Sequence, residues 1–351
     1  MQRLRLTRKF AALVCVVLIT VLLLLYSLIA ALNDRINAAQ RELAGAKATL
    51  AISTLIQAAQ QHRGLSLMLI VGEPRQEEKL ATKQAEINAL LNKVQSEHPA
   101  INRSSEVWQK VATAWTDIQE TGLEWTGTQS FNTHTGLIND LLDIQVRIAD
   151  DSGLTIDPDA GSHYLMETGI SKLPVLLESL GRLRAKGTVA LIQKRIPPQT
   201  RLDFGILDVE INVLLHETES DIKRIARHAP ALETTLSSTF QTMHKISNEV
   251  LQIVASDILH EQFTMSPTEY FTLTTVAIDA GYQQLYDSIY PSLNTLLEKR
   301  IKAAQTDRQL SIAACLIVFA ALFYLLIADA LARKRAEDTL LKLNATLERE
   351  R

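Results

Sequence analysis

Apolar positions in this chain fall into two regimes. Uncharged, uninterrupted runs stand at Phe10–Leu32 and Leu310–Ala328, whereas between them apolar residues recur every three or four positions among polar ones. The runs are 23 and 19 residues long. At about 1.5 Å of rise per residue, each is long enough to cross a hydrocarbon core of about 30 Å. The three-to-four spacing predicts helices, and alternating β-branched runs that would favour strands are absent.

Punctuation divides the middle of the chain into elements. No proline interrupts Phe10 to Val71, so the first run is predicted to continue as one helix closed by Gly72-Glu73-Pro74. A second helix over Gln76–Glu97 ends before Pro99, and a third over Asn102–Gly122 places Trp108, Val111, Ala112, Trp115 and Ile118 on one buried face. A fourth covers Ser130–Ala149. After a polar corner at Asp150–Asp159, a fifth starts with Asp157 as cap and Pro158 in its first turn, and runs to about Arg195 with a bend at Pro174. Pro197-Pro198 and Pro230 bracket the sixth, and the seventh spans Ala231–His260. Ser266-Pro267-Thr268-Glu269 is a capping box with proline at the first position; it opens an eighth helix that is kinked or split at Pro291 and enters the second apolar run.

The predicted fold class is therefore all-α. Two transmembrane helices flank an extracytoplasmic bundle of about eight helices, arranged as two stacked four-helix bundles or one of doubled length. Beyond the second run, Ala336, Leu340, Leu343 and Leu347 keep heptad spacing and suggest a short parallel coiled coil, hence a homodimer.

Charge fixes the orientation. Arg3, Arg5, Arg8 and Lys9 precede the first run and Arg333-Lys334-Arg335 follows the second, so both termini are expected in the cytoplasm and the middle on the other side of the membrane. The divisions are a basic N-terminus (1–9), a first span (10–32), a sensor domain (33–309), a second span (310–331) and a coiled-coil linker (332–351). The first run is an uncleaved anchor rather than a signal peptide, because it is long and Leu28–Asn33 offers no A-x-A cleavage pattern. The overall formal charge is −3, with +4 in the first nine residues and +1 from Asp329 onward, leaving −8 outside. Such an acidic exterior argues against nucleic acid and anionic headgroups as partners beyond the bilayer itself. It leaves room for a small anion held by local arginines.

Chemistry-bearing motifs are few. The two cysteines, Cys15 and Cys315, lie within the spans, so the outer domain has no disulfide and no zinc-type cluster. The eight histidines form no metal-binding pair, and no phosphate loop or nucleophile elbow is present; neither an enzyme, a metal nor a cofactor is expected. Asp157-Pro158-Asp159-Ala160-Gly161 has the start of a calcium loop but Thr168 where the bidentate glutamate belongs, so it is expected to be a capping corner.

The pattern Gln60-Gln61-His62-Arg63-Gly64-Leu65-Ser66 is more informative. Arg63 and Ser66 share a face with Ile56, Gln60 and Ile70. A cation on an apolar face needs a partner, and a guanidinium fork suits planar oxyanions such as nitrate or carboxylate. The partner is either a ligand or an internal carboxylate, unless the side chain reaches solvent. A second basic stretch, Gly181-Arg182-Leu183-Arg184-Ala185-Lys186-Gly187, gives a faint repeat when Gly187 is aligned with Gly64, which places Lys186 opposite Arg63. Glu178, four residues before Arg182, could neutralise that arginine within the helix. The candidate ligand contacts are Arg63, His62, Ser66, Arg182, Arg184 and Lys186.

Gln61-His62-Arg63-Gly64-x-Ser66 resembles the Q-x-E-R-G-x-S helix of nitrate- and nitrite-sensing all-helical receptor domains, with His62 in place of glutamate. Asp151–Asp159, His163-Tyr164-Leu165-Met166 and Leu173-Pro174 are similar to further stretches of such bacterial receptors, and Arg333–Glu348 resembles the linker that enters sensor histidine kinases. The resemblance implies the sensory and transmembrane part of a two-component histidine kinase. It would bind a small periplasmic solute, nitrate, nitrite or another oxyanion, and signal to a cytoplasmic output module or response regulator. A chemoreceptor or diguanylate cyclase input, and a ligand-free periplasmic scaffold, are the alternatives. No kinase or cyclase signature lies within the sequence itself.

Overall fold

The computed structural model describes residues 2–72, 76–97, 106–157 and 159–349, with side chains from 16 to 345. The expectations placed on Pro74, Pro99, Asn102 and Pro158, and on the side chains of the N-terminal cations, Cys15 and Leu347, lie outside the described residues. Ten α-helices follow one another: α1 Gln2–Ile70, α2 Glu77–Glu97, α3 Glu106–Thr121, α4 Gly127–Ser152, α5 Ala160–Met166, α6 Leu173–Gln193, α7 Pro198–His228, α8 Glu233–Ile253, α9 Pro267–Gln284 and α10 Tyr290–Arg349. No strand occurs among the described residues.

Three π-turns join or extend these helices. Glu167–Lys172 links α5 to α6, Val254–Ile258 extends α8, and Leu285–Ile289 links α9 to α10. Counted as continuous rods, the helices among the described residues number eight, as the punctuation predicts. Two of the turns stand just ahead of Pro174 and Pro291. A proline removes the N–H that would close the preceding turn and crowds the carbonyl four residues back, and a wider turn relieves both. The proline bend and the proline kink are thus carried by the turns before them.

Helix ends follow local chemistry, with one correction. Asp159, not Asp157, caps α5, its Oδ1 accepting from the N–H groups of Gly161 and Ser162 at 3.0 and 3.1 Å. Asp157 closes the short 3-10 turn Leu154–Ile156 and accepts from Asp159 N–H. Ser266 caps α9 as predicted, with Glu269 completing the box. α4 starts three residues earlier than its apolar pattern suggests, because Thr126 caps it through Gln129 N–H.

The chain divides into two compact units, 38–298 and the paired ends 1–37 with 299–351. In the paired ends, Arg308 donates to Asn33 at 2.8 Å. Apolar residues there, among them Leu23, Leu24, Tyr26, Leu316, Ile317 and Phe323, are largely exposed. Both helices are long and apolar enough to cross a membrane, and continuous exposed apolar surface of this kind needs a non-aqueous neighbour.

The unit 38–298 contains two cores. The first joins α1 to α4 through Ile52, Leu55, Ile56, Ile87, Trp108, Trp115, Leu137 and Leu141. Trp108, Val111, Trp115 and Ile118 are buried as foreseen, whereas Ala112 is exposed. The second joins the remaining four rods around residues such as Leu176, Leu180, Phe204, Leu215, Phe240, Met243, Ala277 and Leu285. Of the two arrangements open from the sequence, two four-helix bundles is the one observed.

Candidate functional site

Two buried arginines face each other across the boundary of the two cores. Arg63 on α1 donates from Nη1 to Glu178 Oε1 at 2.6 Å and from Nη2 to Glu178 Oε2 at 3.0 Å. This is the bidentate fork that a guanidinium forms best with a planar oxyanion. Arg63 is 1% exposed and Glu178 3%. Gln60 Nε2 adds a third bond to the carboxylate at 2.9 Å, and Thr135 accepts from Arg63 Nη1 at 2.9 Å. The partner that Arg63 requires is therefore an internal carboxylate, one of the alternatives the sequence leaves open. Glu178 does not neutralise Arg182; that side chain approaches Glu210 of α7 at 3.8 Å.

Arg184 on α6 is also buried, yet it forms no ion pair among the described residues. Its Nη1 donates to Thr275 at 2.8 Å and its guanidinium lies 4.7 Å from the centre of the Phe271 ring. Burial, and then the like charge on Arg63, lower its pKa from 12.5 to about 10. Asp279, one helical turn beyond Thr275, is exposed; what burial it has pushes its carboxyl upward, and the charge of Arg184 draws it down.

The surroundings of the two arginines repeat. Five residues after the cap Thr126 stands Phe131, whose ring lies 5.3 Å from the Arg63 guanidinium, and nine after it stands Thr135. Phe271 and Thr275 hold the same places relative to the cap Ser266. The helices also exchange glycines. A methyl group added at Gly181 would sit 2.9 Å from Arg63 Nη2, and one added at Gly64 would sit 3.5 Å from Arg184 Nη2. The counterpart of Arg63 in the internal repeat is thus Arg184 rather than Lys186. The paired cap, phenylalanine and threonine positions are legible in the sequence, and the glycine alignment overlooks them.

The other candidate residues divide between neighbouring clusters. Lys186 lies 4.7 Å from the Phe131 ring and is bonded to Asp203 at 2.7 Å. His62 and Ser66 turn into the first core, where His62 Nδ1 meets His134 Nε2 at 2.8 Å and Trp115 edge-on. His134 Nδ1 donates to Ser130 O at 2.7 Å, which makes its Nε2 the acceptor from His62. Burial lowers the pKa of His62 to about 3 and that of His134 to about 4. His62 Nε2 is buried with no hydrogen-bond partner.

Beside Arg184, a small cleft of about 20 Å³ is lined by Gly64, Leu67, Ala185, Thr188, Val189 and Phe271 among others. The cleft exposes only apolar atoms and neither arginine lines it; the Thr188 hydroxyl is buried behind that surface with no hydrogen-bond partner. Thr188 follows Arg184 by one turn, on the same side of α6. It is absent from the sequence-based candidates because a threonine in an apolar run carries no signal of its own.

A family model described as nitrate and nitrite sensing matches residues 54–289, well over half the chain, and takes in both arginines, Glu178 and both Phe/Thr pairs. The chain belongs to the nitrate- and nitrite-sensing family. Among solved structures, that of the NasR transcription antiterminator is similar with a TM-score of 0.54 at 16% identity, over 80% of this chain and 79% of that one. At that identity the likeness concerns the fold alone. No curated protein matches. The matched region, residues 54–289, is a sensing domain rather than a catalytic one.

From this site a hydrogen-bonded ladder runs along α1. Gln60 Oε1 accepts from Tyr282 at 2.8 Å, Gln57 Oε1 accepts from Tyr286 at 3.0 Å, and Ser53 meets the Tyr290 hydroxyl at 3.0 Å. Gln145 Nε2 donates to both groups of the last rung. The first rung shares Gln60 with the Arg63–Glu178 pair, so the site and the ladder form one network.

Proposed function

We propose that the chain is the sensory and transmembrane part of a bacterial inner-membrane receptor that takes nitrate or nitrite between α1 and α6. In its full form it would be a homodimeric two-component sensor histidine kinase. The observation that carries the ligand reading is Arg184: a buried guanidinium with no ion pair among the described residues, one helical turn from the buried, unpartnered hydroxyl of Thr188. An unpaired buried cation is costly, and a small anion supplies the missing charge together with acceptors for both donors. Arg184 is the main contact, Thr188 donates from its hydroxyl, Thr275 steadies the guanidinium by accepting from it, and Gly64 leaves the space. Arg63 faces the site from across the bundle boundary, and Lys186 and Arg182 add positive potential at its edge. His62 and Ser66 support the α1 side.

The relay rests on the ladder. Its rungs join α1 to the last rod, and these two elements carry the apolar runs and, past the second, the heptad positions Leu340 and Leu343, which are exposed. Anion binding at α6 perturbs the Glu178–Gln60–Tyr282 connection and shifts α1 against its partner rod by a sliding motion of packed helices. The kinase assignment is supported by the linker-like tail Arg333–Glu348, and the periplasmic placement by the flanking cations.

Calorimetric titration of nitrate into the full chain in lipid nanodiscs tests the ligand reading. Wild type is expected to bind saturably, and Arg184→Gln to bind about tenfold or more weakly, the loss of one charge-assisted contact. A flat titration with nitrate and nitrite, or binding unaffected by Arg184→Gln, would favour the ligand-free scaffold instead.

A further inference from the structure

We infer that the outward face of α7 is the seam on which a second copy of this chain docks, helix against helix, parallel and in register. The inference rests on the reading of the chain as a homodimeric receptor, and adds the surface through which its copies pair.

The bundle uses only one side of α7. Leu202, Ile206, Val209 and Val213 are 58%, 52%, 62% and 49% exposed. Each stands two positions from a buried residue of the same helix, Phe204, Leu207 or Ile211. Two positions are more than half a helical turn, so α7 is apolar on opposite sides. Elsewhere in the unit 38–298, among the described residues, the exposed large apolar side chains stand singly on separate elements: Val71, Leu123, Val146, Ile156, Ile192 and Val276. Single residues of that kind are ordinary, whereas a continuous stripe marks an interface.

The rhythm of the stripe selects its occupant. Its steps of four, three and four are heptad steps, with Leu202 and Val209 at d and Ile206 and Val213 at a. β-Branched residues at a, with leucine at d, suit two parallel strands. The next seam positions on either side, Gln199 and His216, are polar, so the seam has defined ends. Such a stripe is complementary to a copy of itself.

The flanks set the orientation. At the e positions stand Asp203, Glu210 and Glu217, each drawn toward a cation of its own chain: Lys186 at 2.7 Å, Arg182 at 3.8 Å and Lys172 at 3.9 Å. At the g positions stand Gly205 and Asn212. In a parallel pair the e residues of one copy lie across from the g residues of the other, so the carboxylates meet uncharged partners; a reversed pair sets carboxylate against carboxylate. Gly205 points the same way. A methyl group added there would meet nothing within 4 Å, and glycine weakens an exposed helix interior, so its own subunit gives no reason for it. Beside a seam it lets a second backbone approach. Acidic flanks also disfavour a lipid surface, which amphipathic helices reach through Lys and Arg. Two copies anchored in one membrane stand the same way up and at raised effective concentration, so a seam shorter than a standard interface suffices.

Disulfide crosslinking of the full chain in liposomes tests this, in a background of Cys15→Ser and Cys315→Ser. The ends of the seam are about 16 Å apart, so a cysteine at each end can reach its own counterpart only in a parallel, in-register pair. Leu202→Cys and Val213→Cys are each expected to link about tenfold or more faster than Asp208→Cys, on another face of α7, or Gln241→Cys, on α8. Adding Val209→Glu to Val213→Cys places like charges across the seam and is expected to slow its linking about tenfold. All of these residues are exposed in a single copy, and an unchanged thermal unfolding midpoint checks that the fold is kept. Leu340→Cys, in the heptad tail, reports independently on whether the chain is dimeric. If it links while neither end of the seam exceeds the Asp208→Cys and Gln241→Cys rates, the seam is overturned and the homodimer stands. If no position links and the protein sediments as a monomer, the homodimer reading itself fails.

Discussion

The two arginine half-sites share a scaffold and differ in charge. Each has a helix cap followed at the fifth residue by a phenylalanine and at the ninth by a threonine, and each arginine meets that pair in the same way. Yet Arg63 is closed by Glu178, while Arg184 makes no ion pair among the described residues. A second difference lies one residue away on each side. In the first half His62 meets His134; at the corresponding places of the second stand the apolar Leu183 and Thr274, which bonds back to its own helix. The difference teaches that one half is built for stability and the other is left poised. Repeating a geometry does not repeat a role when the counter-charge is supplied once.

The sharpest way to break this comparison is to remove each arginine in turn. Arg63→Gln strands the buried Glu178 carboxylate and is expected to lower unfolding stability by about 3–5 kcal/mol. Arg184→Gln leaves no ion unpaired and is expected to change stability by less than about 1.5 kcal/mol. Denaturant unfolding of the full chain in detergent measures both, and equal losses would erase the distinction.

Acid distinguishes the halves next. His62 and His134 titrate at about 3 and about 4 in the folded protein, below the usual histidine value of 6.5. Below pH 6.5 the unfolded chain therefore binds protons that the folded core refuses. Their contribution to stability is complete above about pH 6.5 and is lost as pH falls toward 4, at about 1.4 kcal/mol per pH unit for each histidine. Unfolding free energies measured between pH 7 and 5 should fall progressively, the slope steepening toward that limit below pH 6.5, and His62→Leu with His134→Leu should flatten the fall.

Two glycines give a smaller contrast. Gly181→Ala drives a methyl group to 2.9 Å from the locked Arg63 fork, and is expected to cost about 1–3 kcal/mol. Gly64→Ala meets Arg184 Nη2 at an ordinary 3.5 Å and gains helix propensity, so its stability should stay within about 1 kcal/mol of wild type. Thermal unfolding of the two variants compares them directly. Smallest of all, Thr275→Val is expected to weaken nitrate binding a few-fold, whereas Thr135→Val, whose arginine keeps its carboxylate, leaves it unchanged; calorimetry separates the two.

How far the sequence reveals this follows from the range of each interaction. The eight rods are legible because their signals are local: Pro174, Pro197, Pro230, Ser266 and the apolar spacing each act within a turn or two. The buried face of Trp108 and Trp115 is legible for the same reason. The pairing of Arg63 with Glu178 is not, because those residues are 115 positions apart, and Arg182 offers Glu178 a nearer partner on its own helix. The role of Arg184 is hidden likewise, since its lack of an ion pair is a property of the crossing of α1, α4, α6 and α9. The cap-phenylalanine-threonine repeat is an intermediate case. Its pieces are visible along the chain, but their offset of 140 differs from the 121 that separates the two arginines, so no single alignment reveals both.

The most direct test of the asymmetry is a crystal structure of the protein with nitrate bound. A planar anion within hydrogen-bond reach of Arg184 and Thr188, with Arg63 still forked on Glu178, is the predicted result. An anion seated in the Arg63 fork with Glu178 displaced would contradict it.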